Sequence, residues 1–370
     1  MECQTASHCG GCPFIALPTE VQRDRKVAGI RRALTEAGVG FDGSIAWIPS
    51  PQPTHYRNRI RLRVDSNGLP AFFNENKSET CVVVHSSVLQ TIDAIRETAS
   101  RTQGLLRVVS HLEVRGSDAD GRCSVFLSFD GPTGGFGDPP LPQNEAGHGT
   151  RASVPPQLGV IAALRQRLDD VLVGHRGMDE HPHQRYELMD SVYAFVPLGS
   201  FLQVNDDVNR ALVRHVVEGA RRRGCGTFLD LYCGSGNFAL PLAQSGCTGM
   251  AVEQDGLAIK KLREASEAQG IEGLRATAGD TLQQVRRWAQ RDVSADVVVV
   301  DPPRAGVREG LLEMAGLARS HVVMCSCNPP TLGRDLAVLQ STGLVVEQVT
   351  AFDMFPHTSH VEVAVWLANR

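Results

Sequence analysis

No apolar run in these 370 residues approaches the ~20 that a membrane-crossing helix needs. The opening residues, Met1 to His8, are too polar for a secretion signal. A cytoplasmic protein without a membrane partner is the expectation. Positive charge is also scarce: 37 Lys and Arg stand against 41 Asp and Glu, for a net charge of −4. Non-specific coating of nucleic acid depends on counterion release by an excess of Lys and Arg, so that class is excluded, although a local basic stripe aimed at one RNA element is not. A disulfide framework is missing too. The ten cysteines lack the close spacing of a small stapled domain, and a reducing compartment keeps thiols free. Metal binding or catalysis is left for them. There is no internal repeat.

What is present is an ordinary globular composition, 42% apolar and 21% charged, in a chain long enough for two cores. The division expected is residues 1–195 as an accessory domain and residues 196–370 as a catalytic domain. In the second half, strands are predicted at Thr227–Leu231, Thr248–Glu253, Leu274–Asp280, Asp296–Asp301, His321–Cys327, Leu344–Met354 and His360–Leu367. Helical stretches at Asn237–Gln244, Gly256–Gln269 and Val307–Leu317 fall between the first five, which makes a βα repeat and a mainly parallel sheet. The turn between the last two strands is too short for a crossover helix, so they pair antiparallel. Five parallel strands closed by a hairpin form the Rossmann-like seven-stranded sheet of a class I methyltransferase. The first half is a mixed α/β unit, with a helix at Glu20–Ala37 and strands at Arg57–Val64, Arg107–Val114 and Cys123–Phe129. Asp130–Pro156, rich in Gly and Pro without periodicity, reads as a long loop or disordered insertion.

The run Phe228 to Phe238 is a strand entering a glycine turn and then a helix. Gly234 and Gly236 let the backbone approach a ligand, with Asn237 opening the helix. Glu253 ends the next strand, where a carboxylate accepts from both ribose hydroxyls, and Asp280 ends the third, in reach of an adenine edge. The third glycine of the dinucleotide fingerprint is absent. The pattern suits S-adenosylmethionine, which brings a ribose but no phosphate.

Asp301-Pro302-Pro303-Arg304 opens the fourth loop. Amino-group methyltransferases usually place an aromatic residue after the two prolines, and the arginine here points away from methylation on nitrogen. A pyrimidine C5 is a poor nucleophile until something adds to C6, and a thiolate is the side chain that both adds and leaves readily at neutral pH. Cys327, at a strand end opening onto a helix near Asn328, is placed for this, and a helix N-terminus favours the thiolate. Glu362 on the adjacent strand is the candidate base for the C5 proton. Cys325 lies deeper on the same face, and His357 and His360 are candidates to orient Glu362 or touch RNA.

Gly199 to Asn205, Asp230 to Asn237, Asp301 to Arg304, Ser326 to Pro329 and Asp353 to Glu362 together resemble the RNA uracil-C5 methyltransferases of the TrmA/RlmC/RlmD group, and most the RlmC type that acts on 23S rRNA. The resemblance implies Gln203, Tyr232, Glu253 and Asp301 at the cofactor, Cys327 as nucleophile, Glu362 as base and 5-methyluridine in RNA as product. A tRNA T-loop uridine is the nearest alternative target. Cytosine-C5 enzymes are further away, since they carry a second cysteine after the fourth-strand proline, and a non-catalytic iron–sulfur RNA-binding protein would need neither Cys327 nor Glu362.

Cys3, Cys9 and Cys12, with Cys81 further on, could hold a [4Fe–4S] cluster or a zinc ion. They lack the C-x3-C-x2-C arrangement of radical initiators and resemble the cluster of the family's ribosomal members. Arg57, Arg59, Arg61 and Arg63 alternate with apolar residues, so a strand here would present one guanidinium face, expected to meet an RNA backbone. The target uridine would have to leave its stack to reach the sheet. A monomer is expected.

Overall fold

A computed structural model describes residues 3, 9–72, 81–102, 104–117, 119, 121–129, 156–168, 170–175, 178 and 182–369. The insertion expected at Asp130–Pro156 lies almost wholly outside the described residues. In chain order the elements are α1 (Thr19–Glu36), β1 (Ile45–Ile48), β2 (Arg59–Val64), β3 (Pro70–Ala71), α2 (Ser86–Arg101), β4 (Val109–Ser117), β5 (Arg122–Phe129), α3 (Pro156–Arg167), β6 (Val171–His175), β7 (His183–Met189) and β8 (Val192–Pro197). There follow α4 (Asp206–Arg222), β9 (Thr227–Leu231), α5 (Ala239–Gln244), β10 (Thr248–Glu253), α6 (Gly256–Ala268), β11 (Leu274–Ala278), α7 (Thr281–Ala289), β12 (Ala295–Val300), α8 (Leu311–Gly316), β13 (Ala318–Ser326), α9 (Pro329–Ser341), β14 (Leu344–Phe352) and β15 (Glu362–Asn369).

The large sheet has the order β1-β14-β15-β13-β12-β9-β10-β11. Strands β13, β12, β9, β10 and β11 run parallel, and β15 lies antiparallel between β13 and β14. The order reverses beside β9, and ligands of such sheets bind outside the carboxyl ends at that point. The apolar run Val297–Val300 is fully buried because helices cover both faces of the sheet. Polar residues set the helix starts: Asn205 caps α4 by accepting from the Val208 amide, and Asp255 caps α6 through the Leu257 and Ala258 amides.

The sheet has eight strands where seven were expected. The eighth is β1, parallel to β14 with Ile45 opposite Val349. Ile30, Leu34 and Val39 pack in the same core, and α1 approaches α9 so closely that a Cβ on Gly333 would lie 2.6 Å from the Ala33 carbonyl oxygen. The β7–β8 hairpin joins the core on the opposite face through Tyr186, Leu188 and Val196. Residues before 196 thus contribute to both faces of the catalytic core. A separate five-stranded sheet, β3-β2-β4-β5-β6, carries its own core with α2 and α3.

Candidate active site

Cys327 follows the last residue of β13, and Ser326 pairs with Val363, so one further step places Cys327 opposite Glu362. Glu362 also pairs with Phe352 across the hairpin and is only 2% exposed. Three loops therefore meet at one point: the end of β13, the start of β15 and the Asp301 turn after β12. Asn328 does not cap α9 with its side chain; its Nδ2 donates to the Arg304 carbonyl at 3.1 Å and ties the cysteine loop to the proline turn.

The charges at this point are frustrated. Asp301 keeps some solvent contact, yet desolvation pushes its carboxyl up to about 7. Burial, and then the Asp301 charge, hold Glu362 well above the usual carboxylate range. Asp230, completely buried, is raised by desolvation and by Asp301, and neither of its carboxyl oxygens has a hydrogen-bond partner among the described residues. The Cys327 thiol is pushed up to about 11, first by burial and then by Glu362 and Asp301, while Arg304 acts the other way. Expectation and structure differ here. The helix N-terminus was to favour the thiolate, but two acid neighbours and desolvation outweigh it, and the cation opposing them is Arg304. Cys325 is fully buried and its thiol is raised well above the ordinary value, as suits a core residue.

At the glycine turn, Tyr232 takes a left-handed φ of 63° at the end of β9. Gly236 has φ 96°, and a Cβ there would lie 2.9 Å from Leu240, so the turn admits only glycine. Glu253 accepts from the Gly234 amide at 3.2 Å and the Asp255 amide at 2.9 Å, which holds its carboxylate at the mouth of the turn. Asn237 exchanges two amide hydrogen bonds with Asn209 of α4, at 2.8 and 3.1 Å. Asp280 spends one oxygen capping α7 through the Gln283 amide. Gln203 enters by its backbone, its carbonyl accepting from Asn58 Nδ2 at 3.1 Å. Two residues away Phe201 is 72% exposed. Ser200 Oγ, also in this segment, donates to Asp255 Oδ2 at 2.9 Å.

The loop that leads to Glu362 is held by the beginning of the chain. Lys26 Nζ pairs with Asp353 at 2.6 Å and donates to the Phe355 carbonyl at 3.0 Å. The Phe14 amide donates to the His357 carbonyl, and Gln22 accepts from the His357 amide and meets its Nδ1. His357 is therefore a buried strut at φ 66°, whereas His360 is exposed. Sequence reasoning missed Lys26, Gln22, Asn209 and Arg304; only Arg304 carried a signal, as the unusual residue after two prolines.

The four N-terminal thiols share one neighbourhood. Burial, then Cys81, Cys9 and Cys3, push the Cys12 thiol up to about 11. As they stand, no group of three or more His, Cys, Asp or Glu among the described residues is arranged to hold a metal ion. The arginine stripe is split. Arg59 pairs with Glu113 at 3.1 Å and lies over Phe201, Arg57 Nε donates to the Arg59 carbonyl, and Arg61 points into solvent. Arg63 lies half-buried on the same strand. Among the described residues no helix is long and apolar enough to cross a membrane.

A family model described as tRNA (uracil-5-)-methyltransferase matches residues 183–370. A 23S rRNA (uracil(1939)-C(5))-methyltransferase RlmD of Alcanivorax borkumensis is 31% identical, the match covering 97% of this chain and 80% of that one. An RNA methyltransferase of Bacillus cereus, not otherwise characterised, is 28% identical over 99% of this chain and 82% of its own. Among solved structures, the tRNA (uracil-54, C5)-methyltransferase of Pyrococcus abyssi in complex with S-adenosyl-L-homocysteine superposes with a TM-score of 0.69. That match covers 98% of this chain and 86% of the other at 21% identity, and so shares the fold.

Proposed function

Because the chain belongs to the tRNA (uracil-5-)-methyltransferase family and is an RNA uracil-C5 methyltransferase dependent on S-adenosylmethionine, we propose that it modifies one uridine of 23S rRNA through Cys327 and Glu362. The observation that carries the assignment of roles is the meeting of one half-accessible thiol with two desolvated carboxyls at the end of the sheet. The rRNA target rests on the likeness to the Alcanivorax enzyme.

S-adenosylmethionine supplies the methyl group and a cationic sulfonium. Glu253, the Gly234–Asn237 turn, Tyr232, Gln203, Asp280 and Asp301 would hold it, the acids suiting a ligand that carries hydroxyl donors, an amine and positive charge. Asp230, behind them, adds negative charge to the same wall. Sulfur of Cys327, its proton given up to solvent, bonds to C6 of the uracil, and the C5–C6 π electrons become the enolate that takes the methyl group at C5. Glu362, once ionised, takes the C5 proton. The electrons of that C–H bond re-form the double bond and expel the thiolate, so the ring is restored. Arg304 is the cation that offsets the two acids when the thiol ionises.

Cys3, Cys9, Cys12 and Cys81 suit a [4Fe–4S] cluster by softness of ligand, with zinc as the alternative. The cluster would be structural, shaping the unit around β2 and β4 that holds RNA. We place the enzyme in the cytoplasm, acting as a monomer. Iron and sulfide in anaerobically purified protein support the cluster; stoichiometric zinc rejects it.

Labelled cofactor incubated with unmodified total RNA, followed by mapping of the label, tests the whole reading. Label at a 23S rRNA uridine is expected, and label confined to tRNA would transfer the enzyme to the T-loop substrate. Glu362→Gln should accumulate a covalent RNA adduct that Cys327→Ala cannot form. Normal turnover by Cys327→Ala would refute the mechanism.

A further inference from the structure

Between the accessory sheet and the start of α4 lies a small open cleft that none of the chemistry above uses. Its walls include Gln52, His55 and Tyr56 from the segment before β2, with Asp206 and Asp207 at the head of α4. Asn58 forms part of the floor. It is 4% exposed, and its Nδ2 is fixed by two acceptors, the Gln203 carbonyl at 3.1 Å and the Asp206 carboxylate. That fixes the orientation of the amide. Asn58 Oδ1 is then a buried acceptor without a partner among the described residues, a state that costs roughly 1–3 kcal/mol when nothing fills it.

The other walls agree on what is missing. His55 Nδ1 lies 3.1 Å from the Val84 carbonyl and donates to it, which fixes the ring. Asp206 accepts from Asn58 Nδ2 and Asp207 is ion-paired with Arg210 at 2.5 Å, so the head of α4 adds acceptors to the wall and not free negative charge. A ligand of this cleft must therefore bring donors. The half-buried imidazole of His55 offers a π face, with the buried edge of Tyr56 behind it, whose hydroxyl donates to the Pro356 carbonyl at 3.2 Å.

Position supplies the class of ligand. The cleft floor is one residue contact from Gln203, and Phe201 of the same segment is exposed. When a uridine is extruded toward Cys327, its neighbour in the strand loses a stacking face and needs a new one. We propose that the cleft is a second nucleobase subsite, which takes an amino-bearing base (adenine, guanine or cytosine) from the same RNA strand as the target uridine. The exocyclic amine donates to Asn58 Oδ1 and the ring lies against His55. Uracil, with a single ring N–H donor, fits less well. This inference rests on the RNA methyltransferase reading.

The test uses an RNA fragment carrying the uridine mapped above, made as a series in which each neighbouring nucleotide in turn is abasic. For the wild-type enzyme one position is expected to raise KM by roughly tenfold with little change in kcat. An amino-bearing base at that position restores the KM and uracil does not. In Gln52→Ala and in His55→Gly, which suits the left-handed backbone at φ 56°, the same position should lose most of its effect. Asn58→Ser serves as a third variant, and melting curves show whether each remains folded. Equal abasic penalties in wild type and in the folded variants would overturn the subsite, as would a penalty that Mg²⁺ titration abolishes, the mark of a cation site. A wild-type enzyme that makes 5-methyluridine without any sensitive position also overturns the subsite and leaves the methyltransferase reading intact. Failure to make 5-methyluridine at all would remove both.

Discussion

The catalytic sheet and the accessory sheet both bury charge, and they treat it in opposite ways. Arg115 of β4, 1% exposed, spends its guanidinium on Glu113 and on the Pro197 and Ser200 carbonyls, and Glu113 also holds Arg59. At the mouth of the catalytic sheet, neither carboxyl oxygen of Asp230 has a hydrogen-bond partner among the described residues, burial raises Asp301, and burial followed by the Asp301 charge raises Glu362. A buried charge with every valence used is a fastener. A buried charge left without a counterpart stores free energy that a ligand of opposite character can release on binding.

Substituting one member of each class separates them most sharply. Glu362→Gln should lower kcat by roughly 10²–10⁴-fold while the melting temperature stays level or rises, because a costly carboxyl has become a neutral amide. If melting falls and the rate holds, Glu362 is a fastener too. Arg115→Met should do the reverse, costing about 1–3 kcal/mol in denaturant unfolding as the Pro197 and Ser200 carbonyls lose their donor while Glu113 keeps Arg59, with kcat changed only a few-fold in the folded fraction. Next comes pH. With the Asp301 carboxyl at about 7 in the folded chain against an ordinary 3.8, the unfolded chain ionises first. Ligand-free protein should therefore lose stability as pH rises from 3.8 toward about 7, and Asp301→Asn should flatten that decline by a few degrees of melting temperature. Calorimetry across that range decides the matter. Smallest is Arg61→Ala, which removes an exposed cation engaged in no ion pair among the described residues. Melting should be unchanged, and the salt dependence of RNA binding should fall by about one unit of slope.

Much of the catalytic half was legible because its signals are local. Thr227–Leu231 and Thr248–Glu253 were placed to the residue, since a short apolar run followed by a glycine turn or an acid marks a strand end without help from distant parts. The position of Glu362 at the start of an antiparallel return strand was also readable, because the turn after β14 is too short for a crossover helix. The missed parts are those decided at long range. Ile45–Ile48 is four residues with no pattern of its own, and only β14, some 300 positions later, makes it a strand. The α4 helix was passed over although Asn205 caps it well. The arginine stripe was read by period alone, which could not show that Glu113 on the neighbouring strand claims Arg59. Nor could spacing show that desolvation would overrule the helix end at Cys327, since burial is a property of the folded whole.

The pairing of β1 with β14 also bears on how the chain is made. During synthesis the first 48 residues leave the ribosome early, but the edge they cover does not exist until residue 352 has emerged. Throughout that interval the apolar side of α1, with Ile30 and Leu34, has no partner, and the nascent catalytic sheet lacks its outer strand. The accessory sheet, made entirely of residues 59–175, can fold meanwhile. The catalytic sheet can close only when β1 meets β14, an event of high contact order and correspondingly slow. Removing either strand would thus damage the same edge.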